Sequence, residues 1–364
     1  MSETEGAIPK SGAEGEFSPA GKLQLVMSRL IRESRLEVPA MPTVIAEVLS
    51  LAGSADTPVS QLEKLIEKDQ AVAGRLLQIA NSAFMRRARD AKTIREAIVR
   101  IGQIDLKNTL FSLFVQTRLF SSKEHQELVT ALWKHSLACG ALNRRLAPFA
   151  GIDSELAFLA GLVHDVGKAA LLGNIPEDMK DTRIYSSAVV EHAMQELHPL
   201  AGGMAMKKWQ MPEDLIEAVL RHHQIEKAER NPALARCVAA SDLIVLKAGI
   251  GIRRDKAPGA YSPLLERHWA VKDRNLLTDP LMAALGLDQE ALAHLEEELP
   301  KVMEEAECGF SARPAVPKPR PIPKKSEALP LPEQPETTKT FPWWLVALLG
   351  ALGVAGGLLY LAMK

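Results

Sequence analysis

Between about Lys22 and Glu307 apolar residues recur at helical intervals, and nowhere do β-branched residues alternate over the length of a strand. A period near 3.6 lines one face of a helix, whereas a half-buried strand needs a period of two, so this pattern restricts the chain to packed helices. The start signals agree. Ser60 with Glu63 precedes Leu62, Leu65 and Ile66, and Thr93 with Glu96 precedes Ala97, Ile98 and Ile101, both at capping-box spacing. Pro42 and Pro212 suit first-turn positions. No fixed-period repeat points to a solenoid. The expected fold class is all-α, a compact multi-helix domain, and 364 residues of which 47% are hydrophobic supply a sizeable core.

The far end of the chain reads differently. From Trp343 to Met363 there is no charge, and about 20 helical residues at roughly 1.5 Å each match a bilayer core of roughly 30 Å. The expectation is a single C-terminal transmembrane helix, with Trp343, Trp344 and Tyr360 at the two interfaces. Residues 343–363 would then engage the lipid bilayer. The first residues, MSETEGAIPKSGAEGEF, are polar and lack a signal-peptide core, so the bulk is expected in the cytoplasm, anchored to the inner (cytoplasmic) membrane by one pass. Lys324, Lys325 and Lys339 fit the positive-inside tendency. Ser311 to Thr340 is rich in proline, a semi-rigid spacer of about 3.1 Å per residue that would reach about 90 Å. Gly353 and Gly357 would let two such spans approach as a homodimer. The expected organisation is a disordered lead-in over 1–21, the main helical domain over 22–250, a helical appendage over 251–310, the linker over 311–340 and the anchor over 341–364. In the appendage Leu287, Leu292, Leu295 and Leu299 form a stripe that either the body or another subunit would cover.

Charge excludes a whole-molecule attraction to nucleic acid, since 44 Lys and Arg meet 45 Asp and Glu. One local basic cluster, Arg86, Arg87, Arg89 and Lys92, reads more simply as a solvated loop than as a nucleic-acid or lipid contact. Cys139, Cys237 and Cys308 are isolated, which suits a reducing compartment, and read as packing residues. Asn81 and Ser82 in IANSAF are expected to cap backbone groups rather than to act in catalysis.

The chemistry concentrates in histidine and aspartate. His135 stands in LWKHS, His164 and Asp165 in GLVHDVGK, His198 in ELHPLAGG, His222 and His223 in VLRHHQ, and Asp242 in AASDLIV. Imidazoles with carboxylates suit divalent transition metals such as Fe, Mn, Zn or Ni, and two ions bridged by a carboxylate activate water and stabilise a leaving phosphate oxygen. Each residue lies on or beside a helix-patterned segment, so several helices would converge on one point. Trp209, Leu215, Ile216 and Val219 flank the later histidines at helical spacing and read as core. No kinase motif, nucleotide-binding glycine loop or separate sensor is visible, so a signal would arrive from another protein of unknown identity or through the domain itself.

His164-Asp165 followed by Gly167-Lys168 resembles the signature of the HD phosphohydrolase superfamily, and His135 with Asp242 completes its H…HD…D order. The resemblance implies a first metal on His135, His164, Asp165 and Asp242, with Asp165 and Lys168 as catalytic residues and Lys168 near a substrate phosphate. His198, His222 and His223 match the extra histidines of the subfamily with a second metal. The runs VPAMPTVIAEVLSLAG, LEKLIEKDQAVAGRLLQIANSAF, TIREAIVRIGQIDLKN, LWKHS, GLVHDVGK and HPLAGGMAMKKWQMPEDLIEAVLRHH together resemble the narrower HDOD domain, from about Leu36 to Ala248. That implies a compact helical output domain of bacterial signalling proteins, whose members often lack catalysis. The related cyclic-di-nucleotide phosphodiesterases carry Gly-Tyr-Pro after their double histidine, whereas QIEKAERNPALARC follows His223 here, which argues against cyclic-di-GMP hydrolysis. The expected function is a membrane-anchored signalling module acting through protein or small-ligand interactions. The alternatives are a metal-dependent phosphohydrolase and, after it, a nucleic-acid-binding regulator.

Overall fold

The computed structural model describes residues 18–51, 57–82, 85, 89–120, 124–250 and 275–307, and every regular element among them is a helix, as the apolar spacing requires. The first six are α1 (Pro19–Arg32), α2 (Thr43–Leu51), α3 (Val59–Ile66), α4 (Gln70–Ala80), α5 (Ile94–Ile101) and α6 (Gln103–Arg118). The longest apolar helix, α7 (Gln126–Ala150), is followed by α8 (Ser154–Val163), α9 (Val166–Leu172), α10 (Ser187–Met194), α11 (His198–Lys208), α12 (Glu213–Arg221) and α13 (Pro232–Lys247). Two more, α14 (Pro280–Ala284) and α15 (Gln289–Glu307), close the described chain.

Local signals explain most of the boundaries. Thr93 and Glu96 form the full reciprocal capping box at the start of α5. Ser60 does not cap α3: that helix starts two residues earlier behind Pro58, whose extended backbone leaves Ser60 inside it, and Glu63 instead takes a 2.7 Å bond from Arg95. Helix α1 begins at Pro19 behind the Ser18 cap, inside the stretch expected to be disordered. Asn81 ends α4, but its side chain ties the loop ten residues on rather than capping the helix: its amide donates to the Ala91 carbonyl at 2.9 Å and its oxygen accepts the Ala91 N–H at 2.7 Å, while the Ser82 hydroxyl, also expected to cap, is buried without a hydrogen-bond partner.

The main core runs from Leu23 and Met27 of α1 to Leu234 and Val238 of α13 and includes Trp209, Leu215, Ile216 and Val219. Phe111 and Phe114 of α6 meet the Trp209 ring edge-on at 6.1 and 5.0 Å, contacts worth about 0.5–1.5 kcal/mol each beyond burial. The indole N–H donates to the Pro39 carbonyl at 2.8 Å, which ties the N-terminal segment to the end of α11. A second apolar cluster joins Ala138, Cys139, Leu142 and Leu146 of α7 with Cys237, Ala240 and Leu243 of α13, and Leu287, Leu292, Leu295 and Leu299 pack into it. The leucine stripe is therefore covered by this chain's own α7 and α13. Between α7 and α8 the Arg144 guanidinium lies 2.6 Å from Glu155 and 4.5 Å above the Phe158 ring, and all but 4% of Arg144 is buried.

Two glycines set the closest approaches to the backbone of a neighbouring helix. A Cβ at Gly161 would lie 2.5 Å from the Cys139 carbonyl, and one at Gly167 would lie 1.9 Å from the His198 carbonyl. Only the absence of a side chain lets α8 meet α7, and α9 meet α11, at these distances.

The inner-membrane placement is corrected by the described helices, none of which is long and apolar enough to cross a membrane. Helix α7 has the length, at 25 residues, but carries Glu127, Lys134, Arg144 and Arg145, whose desolvation the bilayer would penalise. The stretch Trp343–Met363 with Gly353 and Gly357, the proline-rich 311–340 and residues 1–17 of the lead-in lie outside the described residues.

Candidate metal centre

Five stretches of chain bring the expected residues to one buried point. His135 lies in the middle of α7, with Cys139 one turn further on. His164 ends α8, and Asp165 forms the kink from which α9 starts, so the doublet turns both side chains inward at a break between helices. Lys168 sits in the first turn of α9 and His198 is the first residue of α11. His222 ends α12 with His223 next in the chain, and Asp242 projects from α13. His164 and His198 are fully buried, and His135, Asp165, Lys168, His222 and Asp242 are exposed by 6% or less.

The donors divide into two groups. In the first, His135 Nε2 lies 3.0 Å from Asp242 Oδ1, 3.3 Å from His164 Nε2 and 3.5 Å from Cys139 Sγ. In the second, His198 Nε2 lies 3.2 Å from His222 Nε2 and 3.0 Å from His223 Nε2. Asp165 stands between them. Its Oδ2 is 3.6 Å from His164 Nε2 and 3.9 Å from His135 Nε2, while its Oδ1 is 3.2 Å from His198 Nε2. Lys168 Nζ donates to Asp165 Oδ2 at 2.6 Å.

The protonation pattern favours a cation. The Nδ1 atoms of His164 and His222 each lie 2.7 Å from a carbonyl, of Gly161 and Val219. A carbonyl only accepts, so both Nδ1 atoms carry the proton. Burial lowers His164, lowers His198 strongly and takes His222 down to about 3, so these rings are neutral near pH 7. His164 and His222 therefore aim a lone pair inward from Nε2. Asp165 Oδ1 is buried without a hydrogen-bond partner, and so is His198 Nδ1. Burial alone would raise the Asp165 carboxyl, but Lys168 and then the imidazoles outweigh it and hold the group ionised. Asp242 is likewise pulled down against burial, chiefly by His135. Converging lone pairs with an unsatisfied carboxylate oxygen fit a divalent transition ion, for which imidazole and carboxylate are suitable donors.

His135, His164 and Asp242 fall in the first group and His198, His222 and His223 in the second, both of a geometry that could hold a metal. Cys139 belongs to the first group, although its sequence reads as packing; the signal was its i, i+4 spacing from His135, which places both on one face of α7. Arg89 and Lys92 lie away from the centre, where the Arg89 guanidinium approaches Glu96 at 3.9 Å and the Lys92 N–H donates to Glu96. Arg86 and Arg87 lie outside the described residues.

The model of the HDOD domain matches residues 38–225. A curated relative, ribonuclease Y of Lawsonia intracellularis, is 28% identical over 208 residues, covering 57% of this chain and 33% of that protein. The chain spans less than half the length of the curated relatives it matches first. A candidate metal-dependent phosphohydrolase from Shewanella amazonensis SB2B superposes with a TM-score of 0.54 at 20% identity, covering 79% of this chain and 100% of that one. A candidate signal transduction protein from Marinobacter aquaeolei VT8 superposes with a TM-score of 0.57 at 17% identity, over 80% of this chain and 65% of that one. Likeness at this identity establishes a shared fold.

Proposed function

Because this chain belongs to the HDOD domain family, we propose that it is a signalling output module whose buried histidine and aspartate donors hold divalent transition metal and thereby lock the packing of α7 to α9 and α11 to α13. The observation that carries this reading is closure. Apart from half-buried His223, the donors and Lys168 expose 6% or less of their surface, and the Lys168 ammonium is already taken up by Asp165 at 2.6 Å. A centre closed in this way is suited to fixing a conformation that a protein or small ligand reads from outside. The name of the Marinobacter neighbour is consistent with such a role.

One arrangement favours the second reading, a metal-dependent phosphohydrolase. Asp165 directs one oxygen to each donor group, as a bridging carboxylate does. When bound, a pair of metal ions supplies an activated water and stabilises charge on a leaving phosphate oxygen. In that reading His135, His164, Asp242 and Asp165 would hold one ion, and His198, His222, His223 and Asp165 the other. The work left to the chain is positional: Lys168 must exchange its carboxylate for a substrate phosphate, and the helix ends around His223 must admit the substrate.

Melting the full chain with and without Mn, Fe, Zn or Ni, alongside a panel of phosphoesters, separates the two. The module reading expects metal to raise the melting temperature, His164→Ala to diminish that rise, and no turnover. Turnover that is present in the parent and lost in Asp165→Ala would replace it with the hydrolase reading.

A further inference from the structure

The first donor group contains an atom that neither reading uses, the sulfur of Cys139. We propose that Cys139 is a metal ligand, completing with His135, His164 and Asp242 a pocket of two nitrogens, one oxygen and one sulfur that selects zinc-like ions over manganese or magnesium. The inference rests on the reading of this centre as a metal site.

The separations from His135 are close to those of a tetrahedron. Nitrogens bound at roughly 2.0–2.1 Å and sulfur at roughly 2.3 Å, at tetrahedral angles, stand about 3.4 Å apart for two nitrogens and about 3.6 Å for nitrogen and sulfur. The observed values are 3.3 Å for His135 Nε2 to His164 Nε2 and 3.5 Å for His135 Nε2 to Cys139 Sγ. Asp242 Oδ1, at 3.0 Å from His135 and 3.9 Å from His164, brackets the same edge length. All four donor atoms lie within 4.8 Å of one another.

Asp165 competes poorly for that fourth position. Its Oδ2 is 3.9 Å from His135 Nε2, farther than Asp242 Oδ1 or Cys139 Sγ, and it is held by Lys168 at 2.6 Å. Charge gives the same answer. A divalent ion with the Asp242 carboxylate and a Cys139 thiolate sums to zero, and Asp165 with Lys168 forms a neutral pair, so the buried volume carries no net charge. A neutral Cys139 would leave an uncompensated positive charge beside an apolar core. Binding replaces S–H with S–metal and releases one proton to solvent. Soft sulfur favours zinc or cobalt, whereas manganese and magnesium prefer oxygen.

The test loads the full chain with Co(II) and records its near-ultraviolet spectrum, beside Cys139→Ser, Cys139→Ala and Cys237→Ser, the last altering a second buried thiol in the same apolar cluster. The expected result is a thiolate-to-cobalt charge-transfer band in the parent and in Cys237→Ser, absent from both Cys139 variants, with at least a tenfold loss of Zn(II) affinity in the latter. X-ray absorption of the zinc-loaded parent needs no variant and should show one sulfur at about 2.3 Å. Cobalt bound without the band, or a zinc shell of nitrogen and oxygen alone, overturns the role of Cys139 and leaves the metal centre standing. No metal bound by the parent overturns both.

Discussion

Gly167→Ala tests whether the close contact of α9 with α11 is what delivers Asp165 and Lys168 to His198. The added methyl would lie 1.9 Å from the His198 carbonyl oxygen, 2.5 Å from the Gly202 nitrogen and 2.8 Å from the His198 carbonyl carbon. All three are backbone atoms, so no side chain can rotate away. Ordinary contact requires roughly 3.5 Å, which means the two helices must part by more than about 1 Å. Overpacking of this kind costs about 1–3 kcal/mol and sometimes more, against a gain of about 1 kcal/mol from alanine's helix propensity. The severity of the overlap puts the expected net loss near 3 kcal/mol, a fall in melting temperature of roughly 6–12 °C for a domain of this size. Gly74 in α4 is the control, because a Cβ there meets nothing within 4 Å. Gly74→Ala should stabilise by about 0.5–1 kcal/mol. Urea and thermal unfolding of both variants measure the contrast. A Gly167→Ala protein that melts within a degree of the parent would refute the close approach and the account of how the centre is assembled.

Removing Glu155 leaves the Arg144 guanidinium buried over Phe158 without its 2.6 Å partner. Asp105 remains 3.5 Å from that guanidinium, so Glu155→Ala should cost about 1–3 kcal/mol in urea unfolding rather than the full cost of an unpaired buried charge. Glu217 gives a pH dependence. Burial raises its carboxyl, but the N–H groups of Asn231, Glu229 and Arg230 outweigh this and hold it below its ordinary value. A carboxyl whose folded value lies below its unfolded one stabilises the fold above the unfolded value, about 4.3, and loses that contribution as pH falls through the folded value. Glu217→Gln should flatten stability against pH in that acid window, and an unchanged slope in equilibrium unfolding would count against the assignment.

The helical class was legible because every core position of α3, α5 and α12 repeats at helical spacing, and the Thr93–Glu96 box marks its helix without help from tertiary contacts. Ser60 misled because Pro58, two residues earlier, also starts a helix, and spacing alone does not rank the two. The histidines and aspartates of the centre were readable by type and order, and the family resemblance implied their division into two groups, but the geometry that realises it was not readable. That division depends on the His164–Asp165 break between α8 and α9 and on the glycine contacts, which are properties of packing. Cys139 was hidden for a related reason: a buried cysteine on an apolar helix face looks like core until His164 and Asp242 arrive from other helices. The membrane expectation rested on hydropathy outside the described residues, and none of the described helices supports it.

His135 and Ile250, whose carbonyl lies 3.3 Å from the imidazole, are 115 positions apart along the chain. The neighbouring pair His135 and Asp242 spans almost the same distance in sequence. Synthesis proceeds at about 5–20 residues per second, so α7 emerges from the ribosome roughly 5–20 s before α13 can meet it. During that interval His135, Cys139 and His164 are donors without their carboxylate partner. On the proposed reading, capture of an ion by the complete set is consequently a late event in the life of a new chain, and a product truncated before α13 would lack it altogether.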